Sequence, residues 1–263
     1  MVPEHETRSR PLIANAEQII EASVGTALAA GLALGGWAYA ANWPSSKIFG
    51  RALTAPRNPR SGPGQIALTF DDGPNPRWTP MLLETLARHN TRATFFLVGK
   101  YAATQHPLVR QMHEAGHIIG NHTWTHPNLS VTGTRKTREE LFRTSDELQQ
   151  IVGAPIRYFR PPFGGRRPAT LRIARELSLI PVLWNAMAAD WEAKEPAKVT
   201  QFLSQLVERN QRRGSATNIV LHDGSHRTLD ADRSASVAAA GLLISRFTAN
   251  HQFVTLDAWQ QSV

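Results

Sequence analysis

The 263-residue chain contains no cysteine. Disulfides, thiolate metal sites and cysteine nucleophiles are therefore all excluded. The absence leaves the compartment open, because exported proteins can also do without disulfides. No internal repeat is visible. There is also no dense basic run and no stretch that interleaves basic with aromatic residues, although the formal net charge is +8. Residues 1–46 hold two arginines against four glutamates, so the remainder of the chain carries +10. A scattered basic surface suits anionic surroundings such as cell-wall polymers or phospholipid. It argues against a nucleic-acid partner.

Charge is missing altogether between Ala22 and Ser46, a run rich in Ala, Gly and Leu. Its core, Val24 to Trp43, has the roughly 20 residues needed to span a bilayer as a helix. Ala38-Tyr39-Ala40 also has the small-x-small form of a signal-peptide cleavage site. Against both stand the net negative leader and the positive residues Lys47, Arg51, Arg57 and Arg60 after the run, the reverse of the usual bias for an exported domain. Three readings follow: a signal peptide, a membrane anchor touching lipid through residues 22–46, or an extra helix packed on the domain. Export or anchoring at the cell envelope is the expectation. Residues 1–43 form this leader, the Pro-rich residues 44–64 a linker, residues 65–258 the folded domain and residues 259–263 a tail.

The domain opens on Ile66-Ala67-Leu68-Thr69-Phe70-Asp71-Asp72-Gly73-Pro74. The apolar part reads as a buried strand, stopped by Gly-Pro with two carboxylates at its end. Strands and helices then alternate. Strands are predicted at 93–98, 118–119, 157–159, 179–184 (with Pro181 an awkward member), 218–221 and 253–256. Helices are predicted from Thr79 as N-cap, from Pro107, from a Thr137/Glu140 capping box to Val152, over 168–177, along the amphipathic Val199–Val207 face, and over 233–250. This is an α/β pattern, a barrel or a doubly wound sheet, and in either the chemistry gathers at the carboxyl ends of the strands.

Further reactive side chains follow the predicted strand ends. His122-Thr123-Trp124-Thr125-His126 comes after the third. Two histidines at i, i+4 on a helical turn can share a metal, and a carboxylate beside them completes an open catalytic zinc set. One of Asp71 and Asp72 would then bind and the other remain free as a base. Arg160-Pro161-Pro162-Phe163-Gly164 comes after the fourth strand, Asp190-Trp191 after the fifth and His222-Asp223-Gly224 after the sixth. Singly, each has an ordinary structural explanation; together they gather on one edge. His117 and His226 have no motif partner and read as structural.

In this order, Thr69-Phe70-Asp71-Asp72-Gly73, His122-x-x-x-His126, Arg160-x-Pro162-Phe163, Asp190-Trp191 and Leu221-His222 resemble the five motifs of the polysaccharide deacetylases, the NodB-homology domain of carbohydrate esterase family 4. The resemblance spans roughly residues 65–258. It implies a distorted (β/α) barrel of seven or eight strands, one divalent metal and N-deacetylation of N-acetylglucosamine-containing glycans: peptidoglycan, chitin oligomers or an exopolysaccharide. By the same resemblance Asp72, His122 and His126 hold the metal, most simply Zn2+, with Co2+ or Ni2+ as neighbours. Asp71 is the general base, Arg160 its orienting cation, His222 the general acid and Asp190 the partner that keeps His222 protonated. Phe163 and Trp191 wall the sugar site, and a backbone N–H near Phe163 donates to the oxyanion. Phe163 stands where many relatives have Tyr, and Val220 where the last motif usually has Leu.

Amide hydrolysis requires these parts: an activated water, a stabilised oxyanion and a proton for the leaving amine. Two other classes compete. One is a glycan-binding relative without turnover, distinguished by binding with no acetate release. The other is a hydrolase of non-carbohydrate amides, distinguished by metal-free activity. A glycosidase using Asp71 and Asp72 is disfavoured, because neighbouring strand residues diverge.

Overall fold

The computed structural model describes residues 31–32, 34–56 and 64–260. Eight strands run in chain order: β1 (Gln65–Gly73), β2 (Thr94–Leu97), β3 (Ile118–Asn121), β4 (Tyr158–Phe159), β5 (Ile180–Pro181), β6 (Ala186–Met187), β7 (Thr217–His222) and β8 (Gln252–Val254). All pair in parallel in the order β5-β4-β3-β2-β1-β7-β6, with β8 beside the start of β1. Seven helices are interspersed: α1 (Trp78–Arg88), α2 (Gly99–Ala102), α3 (His106–Glu114), α4 (Thr134–Val152), α5 (Pro168–Glu176), α6 (Pro196–Arg212) and α7 (Ser234–Phe247). The class is α/β with a parallel half-barrel sheet, consistent with the expected distorted (β/α) barrel; no pairing joins β5 to β6 among the described residues.

β1 is buried along almost its whole length, as a central parallel strand covered on both faces must be. Its side chains alternate. Ile66, Leu68 and Phe70 join the large core under the helices, whereas Ala67 packs with Phe96, Tyr158, Val182 and Trp259 in a second cluster. Thr69 and Asp71 continue the Ala67 face. A carboxylate thereby reaches the end of the strand on the face turned away from the main helical core.

Several predicted boundaries move. Pro181 cannot donate to a ladder, and the strand expected over 179–184 shortens to β5, with Leu53 bridging Val182 beside it; β6 lies beyond the expected range. Thr79 is not the cap of α1. The Asn75 side-chain oxygen accepts from the backbone N–H of Arg77 (2.9 Å) and Trp78 (3.1 Å) instead, and the Thr79 hydroxyl donates to Asp223. Nor do Thr137 and Glu140 form a capping box. α4 begins a turn earlier, and Glu140 is buried inside it, accepting from the Thr125 backbone N–H and hydroxyl at 2.7 Å each.

Residues 34–42 are helical. The last turn of this helix touches the domain: Ala40 and Ala41 are buried, and the Arg166 backbone N–H donates to the Ala41 carbonyl (2.8 Å). The Arg166 guanidinium donates to the carbonyls of Trp43 (3.0 Å) and Ser46 (2.7 Å). Leu32, Leu34, Trp37, Tyr39 and Trp43 are exposed. No helix among the described residues is long and apolar enough to cross a membrane, and residues 1–30 of the expected anchor or signal segment lie outside the described residues.

Candidate active site

Pairing of β1 with β2 matches Asp71 to Phe96 and Gly73 to Leu97, so Asp72 is an extra residue in the ladder. Such a bulge re-aims one side chain. Asp72 has φ 69°, a conformation Asp adopts more readily than most residues. Gly224 makes room for the bulge, since a Cβ there would lie 2.0 Å from the Asp72 carbonyl oxygen. The two adjacent carboxylates consequently do not diverge: both line one cavity of about 640 Å3.

Asp72 Oδ1 lies 3.1 Å from His126 Nε2 and 3.5 Å from His122 Nε2. Ligand atoms from these three residues all fall within 4.8 Å of one another. Asp72 Oδ1 is buried and has no well-aligned hydrogen bond among the described residues. The His122 Nδ1 pairs with the Arg160 carbonyl at 2.7 Å, which leaves Nε2 turned to the cluster. Burial pushes the His122 pKa down to about 4 against the opposing pull of Asp71 and Asp72, so the ring is neutral, as a ligand must be. Burial pushes Asp72 up, but the neighbouring imidazoles of His126, His226 and His122 outweigh it and hold the carboxyl well below its usual range. An orphaned carboxylate oxygen and two imidazole nitrogens at this spacing fit a divalent metal of the zinc type.

The histidines do not sit on a helical turn. Residues 122–126 form a loop with Thr123 at φ 66° and His126 at φ 63°. Two buried anchors shape it. Asn121 Oδ1 accepts from the Thr123 N–H at 2.7 Å, and Glu140 holds Thr125. The i, i+4 spacing thus brings the rings together, centroids 4.8 Å apart, by a different backbone route.

Asp71 faces the cluster from the other side, its Oδ2 3.9 Å from His122 Nε2. Its Oδ1 accepts from Arg160 Nη1 at 2.7 Å, and the same nitrogen donates to the Thr69 hydroxyl at 2.8 Å. Arg160 is fully buried, its guanidinium carbon 4.2 Å from the centre of the Phe96 ring. At the end of β7, His222 Nδ1 pairs with Asp190 Oδ1 at 2.9 Å. Asp190 Oδ2 accepts from the His222 backbone N–H (2.7 Å) and the Ser236 hydroxyl (2.6 Å). Burial alone would lower the His222 pKa, but the charge and hydrogen bond of Asp190 raise it to about 9.

Phe163 and Trp191 are about half exposed at the cavity wall. Trp191 meets His222 edge-on at 4.9 Å and Phe163 meets His126 edge-on at 4.8 Å. Phe163 has φ 57°, an outlier for a bulky side chain and the kind of strain that persists at functional sites. Val220 also lines the cavity.

All nine predicted site residues therefore meet in one place. His117 is buried and structural, its Nδ1 accepting from the Ala93 N–H at 3.2 Å. His226, expected to be structural, belongs to the site. It lines the cavity, its ring stacked on His126 at 4.3 Å and 13°. The available signal was its spacing: His222-x-x-x-His226 repeats the spacing of His122 and His126. Thr69, part of the first motif, braces Arg160 from 91 positions away; Glu140 and Ser236 also brace the site and carry no sequence signal, being ordinary polar residues whose partners lie 15 and 46 positions away.

Residues 58–182 match the polysaccharide deacetylase family. A peptidoglycan-N-acetylglucosamine deacetylase of Bacillus cereus is 34% identical over 206 residues, 77% of this chain and 71% of that one. A chitooligosaccharide deacetylase of Azorhizobium caulinodans is 35% identical over 178 residues, 67% of this chain and 80% of that one. Among solved structures, a family 4 acetyl xylan esterase from Clostridium thermocellum in complex with a cobalt ion superposes with a TM-score of 0.66 at 26% identity, over 75% of this chain and 90% of that one.

Proposed function

We propose that this chain, which belongs to the polysaccharide deacetylase family, is a metal-dependent hydrolase that removes N-acetyl groups from N-acetylglucosamine-containing glycans. The observation that carries the proposal is the donor cluster Asp72–His122–His126 set between two oppositely prepared pairs, Asp71–Arg160 and His222–Asp190.

Asp72, His122 and His126 would hold the metal. When bound, the ion supplies Lewis acidity, polarising an acetyl carbonyl and acidifying water. Asp71 takes the proton of the attacking water, and the hydrogen bond from Arg160 aims its carboxylate. His222 carries the proton that the departing amine needs. The Nδ1–H of that imidazolium faces Asp190, so Nε2–H delivers the proton. A backbone N–H near Phe163 serves the oxyanion. Phe163 and Trp191 offer apolar faces to the sugar rings. The basic body and the exposed apolar residues of the N-terminal helix suit work at the cell envelope on an anionic polymer.

The test is acetate release by the full chain from peptidoglycan, from N-acetylated chito-oligosaccharides and from O-acetylated xylan, with zinc and with chelator. Zinc-dependent release from the amide substrates, lost in Asp71→Asn, is the expected result. Release from xylan alone would move the reaction to ester hydrolysis. Glycan binding with zinc bound and no acetate released would overturn turnover altogether.

A further inference from the structure

His226 sits behind the metal ligands on the loop after β7. Its Nδ1 lies 3.5 Å from Asp72 Oδ2, the carboxylate oxygen turned away from His122 and His126. At that distance the pair is an electrostatic contact rather than a settled hydrogen bond. Its ring lies nearly parallel to His126, 4.3 Å between centres and 13° between planes, with the edge of Phe163 at 5.6 Å. Parallel stacked rings send their nitrogen lone pairs side by side, not to one point. Accordingly, the cluster of converging ligand atoms comprises Asp72, His122 and His126 without His226.

Its position is built. Lys100 Nζ and Tyr101 Oη both donate to the His226 carbonyl at 3.1 Å. The same short helix, α2, donates its first backbone N–H groups to the carbonyls of Thr123 (2.9 Å) and Trp124 (3.1 Å). One turn of chain therefore registers the His226 loop and the loop bearing His122 and His126 against each other.

We propose that His226 is a positioning residue of the metal site. Its Nδ1–H engages Asp72 Oδ2, so that Asp72 presents Oδ1 alone to the ion, and its ring backs His126. This rests on the metal-site reading above. Groups that hold a ligating carboxylate from outside typically contribute 10–100-fold to metal affinity.

The experiment is zinc affinity of the full chain by competition with a chromophoric chelator, for wild type, His226→Ala, His226→Phe and His226→Asn. Thermal melts of the metal-free proteins check folding, and zinc X-ray absorption counts imidazole ligands. Phe keeps a ring without a donor, and Asn places an amide N–H near the position of Nδ1–H. Ala and Phe are expected to weaken zinc about 10–100-fold, with Asn recovering most of the loss and the imidazole count unchanged throughout. Wild-type affinity in Ala and Phe overturns the proposal. So does one imidazole fewer in Ala, which would make His226 a ligand. A wild-type chain that binds no zinc would instead overturn the function proposed above.

Discussion

His122 and His222 both stand at the carboxyl ends of β-strands, face one cavity and pair Nδ1 with an oxygen. The oxygen differs. His122 pairs with the neutral carbonyl of Arg160, and burial takes its pKa down to about 4. His222 pairs with the carboxylate of Asp190, which overcomes burial and takes it up to about 9. One side of the cavity thus holds a neutral donor suited to a cation, the other a charged acid. Residue type does not separate these roles; a single hydrogen-bond acceptor does.

Removing the metal side should cost most. Chelation, or His126→Ala, is expected to lower kcat/KM roughly a thousandfold or more, as loss of several kcal/mol of electrophilic stabilisation implies; zinc should restore the chelated wild type and not the variant. Asp71→Asn is expected to cost about 10²–10⁴ in kcat while zinc affinity, read by chelator competition, stays near wild type. A parallel loss of zinc would place Asp71 on the metal side.

The acid side breaks more gently and with a pH signature. His222 is protonated below its raised pKa, so activity should persist as pH rises and fall through about 9; a cation in the site, opposing the proton, can only move that limb lower. Asp190→Asn removes the charge that raises the pKa and shifts the limb toward the ordinary imidazole value near 6.5, a loss of about 30-fold at pH 8 from the protonated fraction alone. A pH–rate profile with an unmoved alkaline limb would remove His222 from the role of acid. Ser236→Ala deletes one of the hydrogen bonds to Asp190. It should cost about 1 kcal/mol of Asp190 placement, seen as a few-fold drop in kcat with the limb displaced in the same direction.

The sequence was legible where function is local. Five motifs at predicted strand ends brought seven of the nine candidate residues to one cavity wall, with Arg160 and Asp190 bonded to Asp71 and His222 behind it, because parallel strands bring their carboxyl ends to one edge whatever the loop lengths. It was illegible where the partner is remote. Glu140 has the spacing of a helix cap, yet its carboxylate is committed to Thr125; Asn75, not Thr79, caps α1, because the helix already begins at Trp78 and Thr79 lies inside it. The i, i+4 histidines suggested a helical turn, but two positive-φ residues form a loop instead. The spacing of His226 from His222 does not by itself place it; the fold brings its ring against His126.

Asp71 and Asp72 are the same letter twice, and nothing in their chemistry separates them. One backbone dihedral, φ 69° at Asp72, gives one carboxylate to an arginine and the other to a pair of histidines. The division of labour is thus written in chain length rather than in side chains. A one-residue deletion between Gln65 and Asp71 would not simply loosen a strand. It would turn the inner face outward and deal the two identical groups to the wrong partners, with an unchanged inventory of reactive residues and no working centre.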